Sequence, residues 1–169
     1  MKHWNAKYPR RFDLGSNEDY LNWRDEKLAA YPKNVGELVV ELGDMTAMTP
    51  AEKAKILETV ERANMCVYTA GSAELEMSSL LALGKQLGVS HTDKSARHAQ
   101  SDELTDSGIL NRAIPFSTRH CNWHTDATYY GSDNTIQALF LLCKRPAVEG
   151  GSNKVLDHEV LYIQLRDKD

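Results

Sequence analysis

The sequence predicts an α+β fold, and three observations support this prediction. Capping signals followed by apolar residues at helical spacing open three segments in the first half of the chain. Short apolar runs lie between and after those segments, as expected for strands. The 169 residues are 41% hydrophobic and 26% charged, which is typical of a globular domain of ordinary size and not of a disordered chain.

The first predicted helix runs from Ser16 to about Tyr31. Ser16 and Asp19 form a capping box in its aspartate form, and Pro32 ends the helix because its ring cannot continue the hydrogen-bond ladder. Aromatic and aliphatic side chains near one face of this helix should cover a core: Tyr20, Leu21, Trp23, Leu28 and Tyr31.

A strand, a second helix and a second strand are predicted next. Residues 37–42 (ELVVEL) form the first strand, and residues 65–70 (MCVYTA) form a second, buried one. Between them lies the strongest helix start in the chain, because Thr49 caps the helix, Pro50 occupies a position that needs no N–H, and Glu52 reaches back to the cap. Helical spacing continues through four apolar residues: Ile56, Leu57, Val60 and Ala63.

The pattern changes after a third predicted helix, which Ser72 caps and which Gly88 ends in a left-handed conformation. Residues 1–90 therefore form a region of helices and strands. Residues 91–107 are polar and lack periodicity, which predicts a long surface loop and a candidate lid. Residues 108–169 turn towards strands and carry the metal motif discussed below.

Two strand-like runs and a helix are predicted in this last region. The runs lie near 108–115 and 135–143, and the second (TIQALFLLC) is apolar on both faces, which predicts a central, buried strand. Asp157 opens the last predicted helix, at residues 158–166.

The densest chemical information lies in residues 120–130 (HCNWHTDATYY). In an extended segment, residues i and i+2 project to the same face, so His124 and Asp126 would point together. An imidazole nitrogen and a carboxylate oxygen on one face can take adjacent positions on an octahedral metal, as in the 2-His-1-carboxylate sites of non-heme Fe(II) oxygenases. The same spacing recurs at His91 and Asp93, and that copy is interpreted as part of a solvated loop because it lies in the polar stretch.

Four segments of the chain form a wider pattern with this motif. They are NWHTDATYY, IQALFLLCKRPAVEGGSN, LDHEVLYIQLRD and, near the N-terminus, FDLGSNEDYLNWRDEKLAAYP. Together they resemble the taurine dioxygenase family of Fe(II)/2-oxoglutarate-dependent oxygenases. The resemblance covers essentially the whole chain, and its most diagnostic part is N-W-H-T-D followed by the Gly-Gly turn.

The resemblance implies a double-stranded β-helix (jelly-roll) core with flanking helices. It also implies an oxidoreductase that hydroxylates a small organic substrate with O2 and converts 2-oxoglutarate to succinate and CO2. His124 and Asp126 would be catalytic as two of the three iron ligands. Asn153 would stand where the family usually places a threonine that helps hold 2-oxoglutarate, and an amide can also donate a hydrogen bond to a carboxylate. Two residues beside the metal would shape the substrate pocket: Asn122 and Trp123.

One departure from the family pattern concerns the third ligand. The family uses a distal histidine, followed by an arginine that holds the far carboxylate of 2-oxoglutarate. After Asp126 the only histidine is His158, which falls at the start of the last predicted helix and is not assigned as that ligand. The jelly roll is therefore expected to be incomplete, and the chain to be the N-terminal part of an oxygenase. The alternative is a truncated or degenerate non-catalytic fragment or binding module.

A zinc site is a further alternative, since His120, Cys121 and His124 are residue types that zinc prefers. His124 and Asp126 could also be a plain surface pair in a hairpin. The formal net charge of −4 argues against a nucleic-acid partner, and the chain has no apolar run of about 18 residues that would cross a membrane. The three cysteines form no disulfide framework and the N-terminus lacks a secretory apolar core, so a cytoplasmic protein is expected. The oligomeric state stays open, and a homo-oligomer is compatible with the sequence.

Overall fold

A computed structural model describes residues 6–71, 76–89, 91, 120–126, 131, 136–143 and 146–169. The chain divides into two compact units, one formed by Met1–Leu87 with Leu142–Asp169 and the other by Gly88–Leu141. In chain order the elements are α1 (Asn17–Ala30), a 3-10 turn (Val35–Leu38), β1 (Val39–Leu42), α2 (Pro50–Ala63), β2 (Val67–Ala70), α3 (Met77–Gln86) and α4 (His158–Arg166). None of the helices that the structure describes is long and apolar enough to cross a membrane.

The first unit contains a β-α-β arrangement. β1 and β2 pair in parallel, with Val39 opposite Val67 and Leu42 opposite Ala70. Parallel neighbours need a crossover connection, which α2 supplies while packing against β1. Both strands were predicted, but the prediction that the second is buried is wrong. β2 alternates between exposed and half-buried residues, as expected for a strand that is covered on one face.

The predicted start of α2 is confirmed in atomic detail. Thr49 Oγ1 accepts a hydrogen bond from the Glu52 backbone N–H (3.2 Å), and Glu52 Oε2 accepts one from the Thr49 N–H (2.6 Å). Glu52 Oε1 also accepts from the Gly43 N–H (2.7 Å), which ties the end of β1 to the start of α2. These hydrogen bonds, led by that from the Thr49 hydroxyl, lower the pKa of Glu52 below its ordinary value.

We expect Thr49→Ala to lower the free energy of unfolding by about 1 kcal/mol, because the first turn of α2 loses its side-chain acceptor. Urea unfolding followed by circular dichroism measures this change. Thr49→Ser is the matched control, since it keeps the hydroxyl, and it should stay within about 0.5 kcal/mol of the original chain. Equal losses for alanine and serine would mean that the methyl group, and not the cap, stabilises this site.

The start of α1 differs from the prediction, although its end does not. Ser16 makes no side-chain cap, and Asp19 Oδ2 instead accepts a hydrogen bond from the Arg10 N–H (2.9 Å). The predicted Ser16–Asp19 capping box is therefore wrong, because the preceding segment folds back and uses the carboxylate. The helix ends at Ala30, before Pro32, as predicted.

An aromatic core joins α1 to α4. Its buried members are Tyr8, Tyr20, Trp23 and Ile163, with Tyr162 packed against them. Trp23 is 0% exposed. The Phe12 ring meets both Trp23 and Tyr162 edge to face, with ring centroids 5.3 and 5.2 Å apart, an arrangement that aromatic quadrupoles favour.

A buried charge cluster lies beside the aromatic core and consists of Arg11, Lys27, Asn64, Asp157 and Glu159. Lys27 is 0% exposed, and its Nζ lies 2.9 Å from Asp157 Oδ2 and 2.7 Å from Glu159 Oε2. Asn64 Nδ2 donates to Asp157 Oδ1 (2.8 Å) and to Glu159 Oε2 (2.9 Å). Arg11 Nη2 lies 3.9 Å from Glu159 Oε1, and burial lowers the pKa of Arg11.

Two further predicted helix boundaries, at the start of α4 and after α3, are confirmed. Asp157 Oδ1 accepts a hydrogen bond from the Glu159 N–H (2.9 Å) and so caps α4. Gly88 follows α3 with a φ of +86°, as a left-handed stop requires. α3 begins at Met77, and Ser72 lies outside the described residues.

The predicted strands of the later region are only partly within the described residues. Residues 136–143 form no strand and are mostly exposed, so the prediction of a central, buried strand at 135–143 is wrong for this part. A run that is apolar on both faces is buried only where neighbouring strands and layers cover it. Residues 92–119 lie outside the described residues, and with them most of the predicted loop and the strand at 108–115. The jelly roll stays a prediction.

Candidate metal-ligating site

His124 and Asp126 lie in residues 120–126, which form neither a helix nor a strand and bend at Trp123. These seven residues therefore belong to no sheet, and the extended backbone expected for this motif stays a prediction. The two side chains nevertheless meet, with His124 Nε2 3.3 Å from Asp126 Oδ1. Both are about half exposed, at 56% and 46%, so a small ion can reach them from solvent.

The backbone beside His124 fixes the orientation of its ring. His124 Nδ1 lies 2.7 Å from the carbonyl oxygen of Asn122. A carbonyl oxygen can only accept, so Nδ1 carries a proton and donates it. In a neutral imidazole this leaves the lone pair on Nε2, the atom that faces Asp126. Ligating histidines are commonly held in this way, by a hydrogen bond from the ring nitrogen that does not bind the metal.

When His124 is neutral, the two facing atoms, His124 Nε2 and Asp126 Oδ1, both carry lone pairs. They then attract each other only through a proton or a cation between them. A neutral Nε2 and an ionised carboxylate oxygen at 3.3 Å repel each other unless a proton or a cation intervenes. Two ligands at right angles, each about 2.1 Å from a metal ion, would be about 3.0 Å apart. The observed separation is close to this value, so one nitrogen and one oxygen donor fit adjacent positions on an octahedral ion.

The described residues supply two donors to this site, and no group of three His, Cys, Asp or Glu side chains converges on a metal position among them. The zinc alternative gains one contact, since Cys121 Sγ lies 3.5 Å from His124 Nδ1. Nδ1 donates its proton to the Asn122 carbonyl, so in this tautomer Nδ1 has no lone pair to offer zinc. His120 is exposed, as is His158 at the start of α4.

The remaining candidate residues are exposed and lie outside helices and strands: Asn122, Trp123 and Asn153. Trp123, which directly precedes His124 in the chain, is 67% exposed. Asn153 belongs to the first unit, where its Nδ2 donates to the Gly151 carbonyl oxygen at 3.4 Å. The turn before it has a positive φ at both Gly150 (+76°) and Gly151 (+71°), a conformation that glycine adopts without a steric penalty. The contact of His124 Nδ1 with the backbone carbonyl of Asn122 was not predicted. Every residue has a backbone carbonyl, so the sequence does not show which one a side chain will contact.

Comparisons of the chain with protein-family models, with curated proteins and with solved structures found no match.

Proposed function

We propose that the chain is part of an Fe(II)/2-oxoglutarate-dependent oxygenase of the taurine dioxygenase type, with His124 and Asp126 as two of its iron ligands. The observation that supports this most is the 3.3 Å approach of His124 Nε2 to Asp126 Oδ1, with the ring oriented by the Asn122 carbonyl. The choice of iron and of 2-oxoglutarate comes from the resemblance of the N-W-H-T-D motif and the Gly-Gly turn to that family.

Each candidate residue has a defined part in this proposal. When bound, iron and 2-oxoglutarate supply the activation of O2 that hydroxylates a small organic substrate, while 2-oxoglutarate leaves as succinate and CO2. The Asn122 carbonyl keeps the proton of His124 on Nδ1 and so keeps Nε2 free for the metal. The exposed Trp123 indole offers an apolar wall to a substrate. The role of Asn153 in holding 2-oxoglutarate rests on the family resemblance alone.

The proposal also includes a cellular compartment and a set of partners. All three cysteines are free thiols, which fits a reducing compartment and supports a cytoplasmic location. A small organic substrate and O2 are the proposed partners, and the acidic net charge of −4 gives no support to nucleic acid as another. A homo-oligomer stays compatible with this proposal.

Anaerobic equilibrium dialysis of the 169-residue chain against Fe(II), with and without 2-oxoglutarate, tests the proposal. We expect stoichiometric Fe(II) binding that 2-oxoglutarate strengthens. His124→Ala and Asp126→Ala should each weaken it by about tenfold or more, because removing a ligand costs at least as much as removing a group that orients one. In an oxygen-exposed sample of the full-length enzyme, the same variants should lose succinate release.

His91→Ala is the matched control, because His91 is exposed and has the same H-x-D spacing. It should leave Fe(II) binding unchanged. Equal losses for His91→Ala and His124→Ala would contradict the assignment of the ligands. Failure to bind Fe(II) would instead favour the non-catalytic binding module, and stoichiometric zinc that resists chelation would favour the site at His120, Cys121 and His124.

A further inference from the structure

The buried charge cluster brings together segments that are far apart in sequence. Lys27 comes from α1, Asn64 follows α2, and Asp157 and Glu159 begin α4. Arg11 adds the N-terminal segment through its contact with Glu159. A charge is buried at low cost only when it is paired, so each of these segments depends on the others for its partners.

Asp157 makes this dependence strongest because its carboxylate has three partners at once. It caps α4 through the Glu159 N–H, accepts a hydrogen bond from Asn64, and forms an ion pair with Lys27. Lys27 Nζ lies 2.9 Å from Asp157 Oδ2, whereas Asn64 and the Glu159 N–H both donate to Oδ1. α4 has nine residues, and a helix of this length is not stable in water without tertiary contacts.

The other end of α4 is also held. Arg166 Nη1 donates to the Arg11 carbonyl (3.2 Å), and Nη2 donates to the Asp13 carbonyl (3.2 Å). The guanidinium lies over the Tyr20 ring, 3.9 Å from its centroid, and the Tyr20 hydroxyl donates to Asp167 Oδ1 (2.6 Å). Burial, followed by this hydrogen bond to Asp167, raises the pKa of Tyr20 to about 12, so the hydroxyl keeps its proton up to strongly alkaline pH.

We propose that the buried charge cluster is a lock that makes α4 an inseparable part of the first unit, so that α4 is released only when that unit unfolds as a whole. Release of α4 would remove both carboxylates from Lys27, uncover Trp23 and dissolve the helix that Asp157 caps. These losses occur together because the same few residues supply all three. α4 is thus held as firmly as the interior of the unit.

Native-state hydrogen exchange of the full chain tests the lock directly. The amides of Leu161 and Asp167, which donate within and at the end of α4, should exchange within about tenfold of those in the middle of α1. Both sets should also respond equally to low concentrations of urea, since both open through global unfolding. Exchange of the α4 amides that is faster than this limit overturns the proposal, and this outcome needs no variant.

A charge-neutral variant separates a lock from general stabilisation. Glu159→Gln keeps the size of the side chain and should speed the exchange of the α4 amides by about tenfold or more relative to those of α2. The control Glu58→Gln alters an exposed carboxylate that pairs with Lys55 on the surface of α2, and should leave the ratio unchanged. An equal rise at α2 and α4 in Glu159→Gln would mean general destabilisation without a lock.

Discussion

Replacing Lys27 by alanine lowers the free energy of unfolding by about 3–5 kcal/mol, the range found when one partner of a buried ion pair is removed. Asp157 then lies in the interior without a cation, and Glu159 keeps only the more distant Arg11, at 3.9 Å. Asn64 still donates to both, but a neutral amide does not balance two negative charges. Urea unfolding monitored by circular dichroism gives the change directly.

Two further variants define what the Lys27 result means. Lys55→Ala removes a lysine of similar length from an exposed ion pair with Glu58, and should change stability by no more than about 0.5 kcal/mol. The triple variant Lys27→Met, Asp157→Asn, Glu159→Gln removes all three charges while keeping the side chains similar in size. It should recover part of the loss, because the charges of Lys27, Asp157 and Glu159 are removed together, while Arg11 gives up its contact with Glu159. A cost below about 1 kcal/mol for Lys27→Ala would contradict the buried pairing.

Trp23→Ala is the second change with a large expected effect, again about 3–5 kcal/mol, because it empties the largest fully buried side-chain site of the first unit. Tyr20, Phe12 and Tyr162 all have rings within contact of the indole and cannot close the space without moving α1 or α4. Denaturant unfolding measures the loss, and the unfolding transition should move to a lower urea concentration.

The chain offers a matched tryptophan as the control for this experiment. Trp123 is 67% exposed, so Trp123→Ala should change stability by less than about 0.5 kcal/mol. Trp23→Phe should cost less than Trp23→Ala, because a ring remains and because the buried Trp23 Nε1–H has no acceptor among the described residues to lose. Similar losses of stability in Trp23→Ala and Trp123→Ala would contradict the assignment of Trp23 to the core.

Local signals in the sequence predicted local structure well. Thr49 with Glu52 marks the start of α2, Asp157 marks the start of α4, and Gly88 marks a left-handed stop, because each feature depends on residues within a few positions of one another. Asp19 shows the limit of this reasoning. It has the right spacing for a cap, but the backbone of Arg10 takes its carboxylate.

Long-range pairing could not be predicted in the same way. Lys27 lies in the last turn of α1, where the sequence predicts a solvated charge, whereas its partner Glu159 is 132 positions away. Nothing in the spacing of charges along a chain shows which of them will be buried together. The H-x-D motif combines a local and an untested prediction. Its i, i+2 spacing predicts that His124 and Asp126 meet, as they do, while the metal that they would hold stays a prediction.

The discontinuous make-up of the first unit bears on how the protein is made. A ribosome adds about 5–20 residues per second, so the 132 positions between Lys27 and Glu159 take about 7–26 seconds to synthesise. Throughout that interval Trp23 and Lys27 have been synthesised but the helix that covers them has not. The nascent chain therefore cannot bury this aromatic surface before α4 has been made, and the first unit cannot complete its folding earlier.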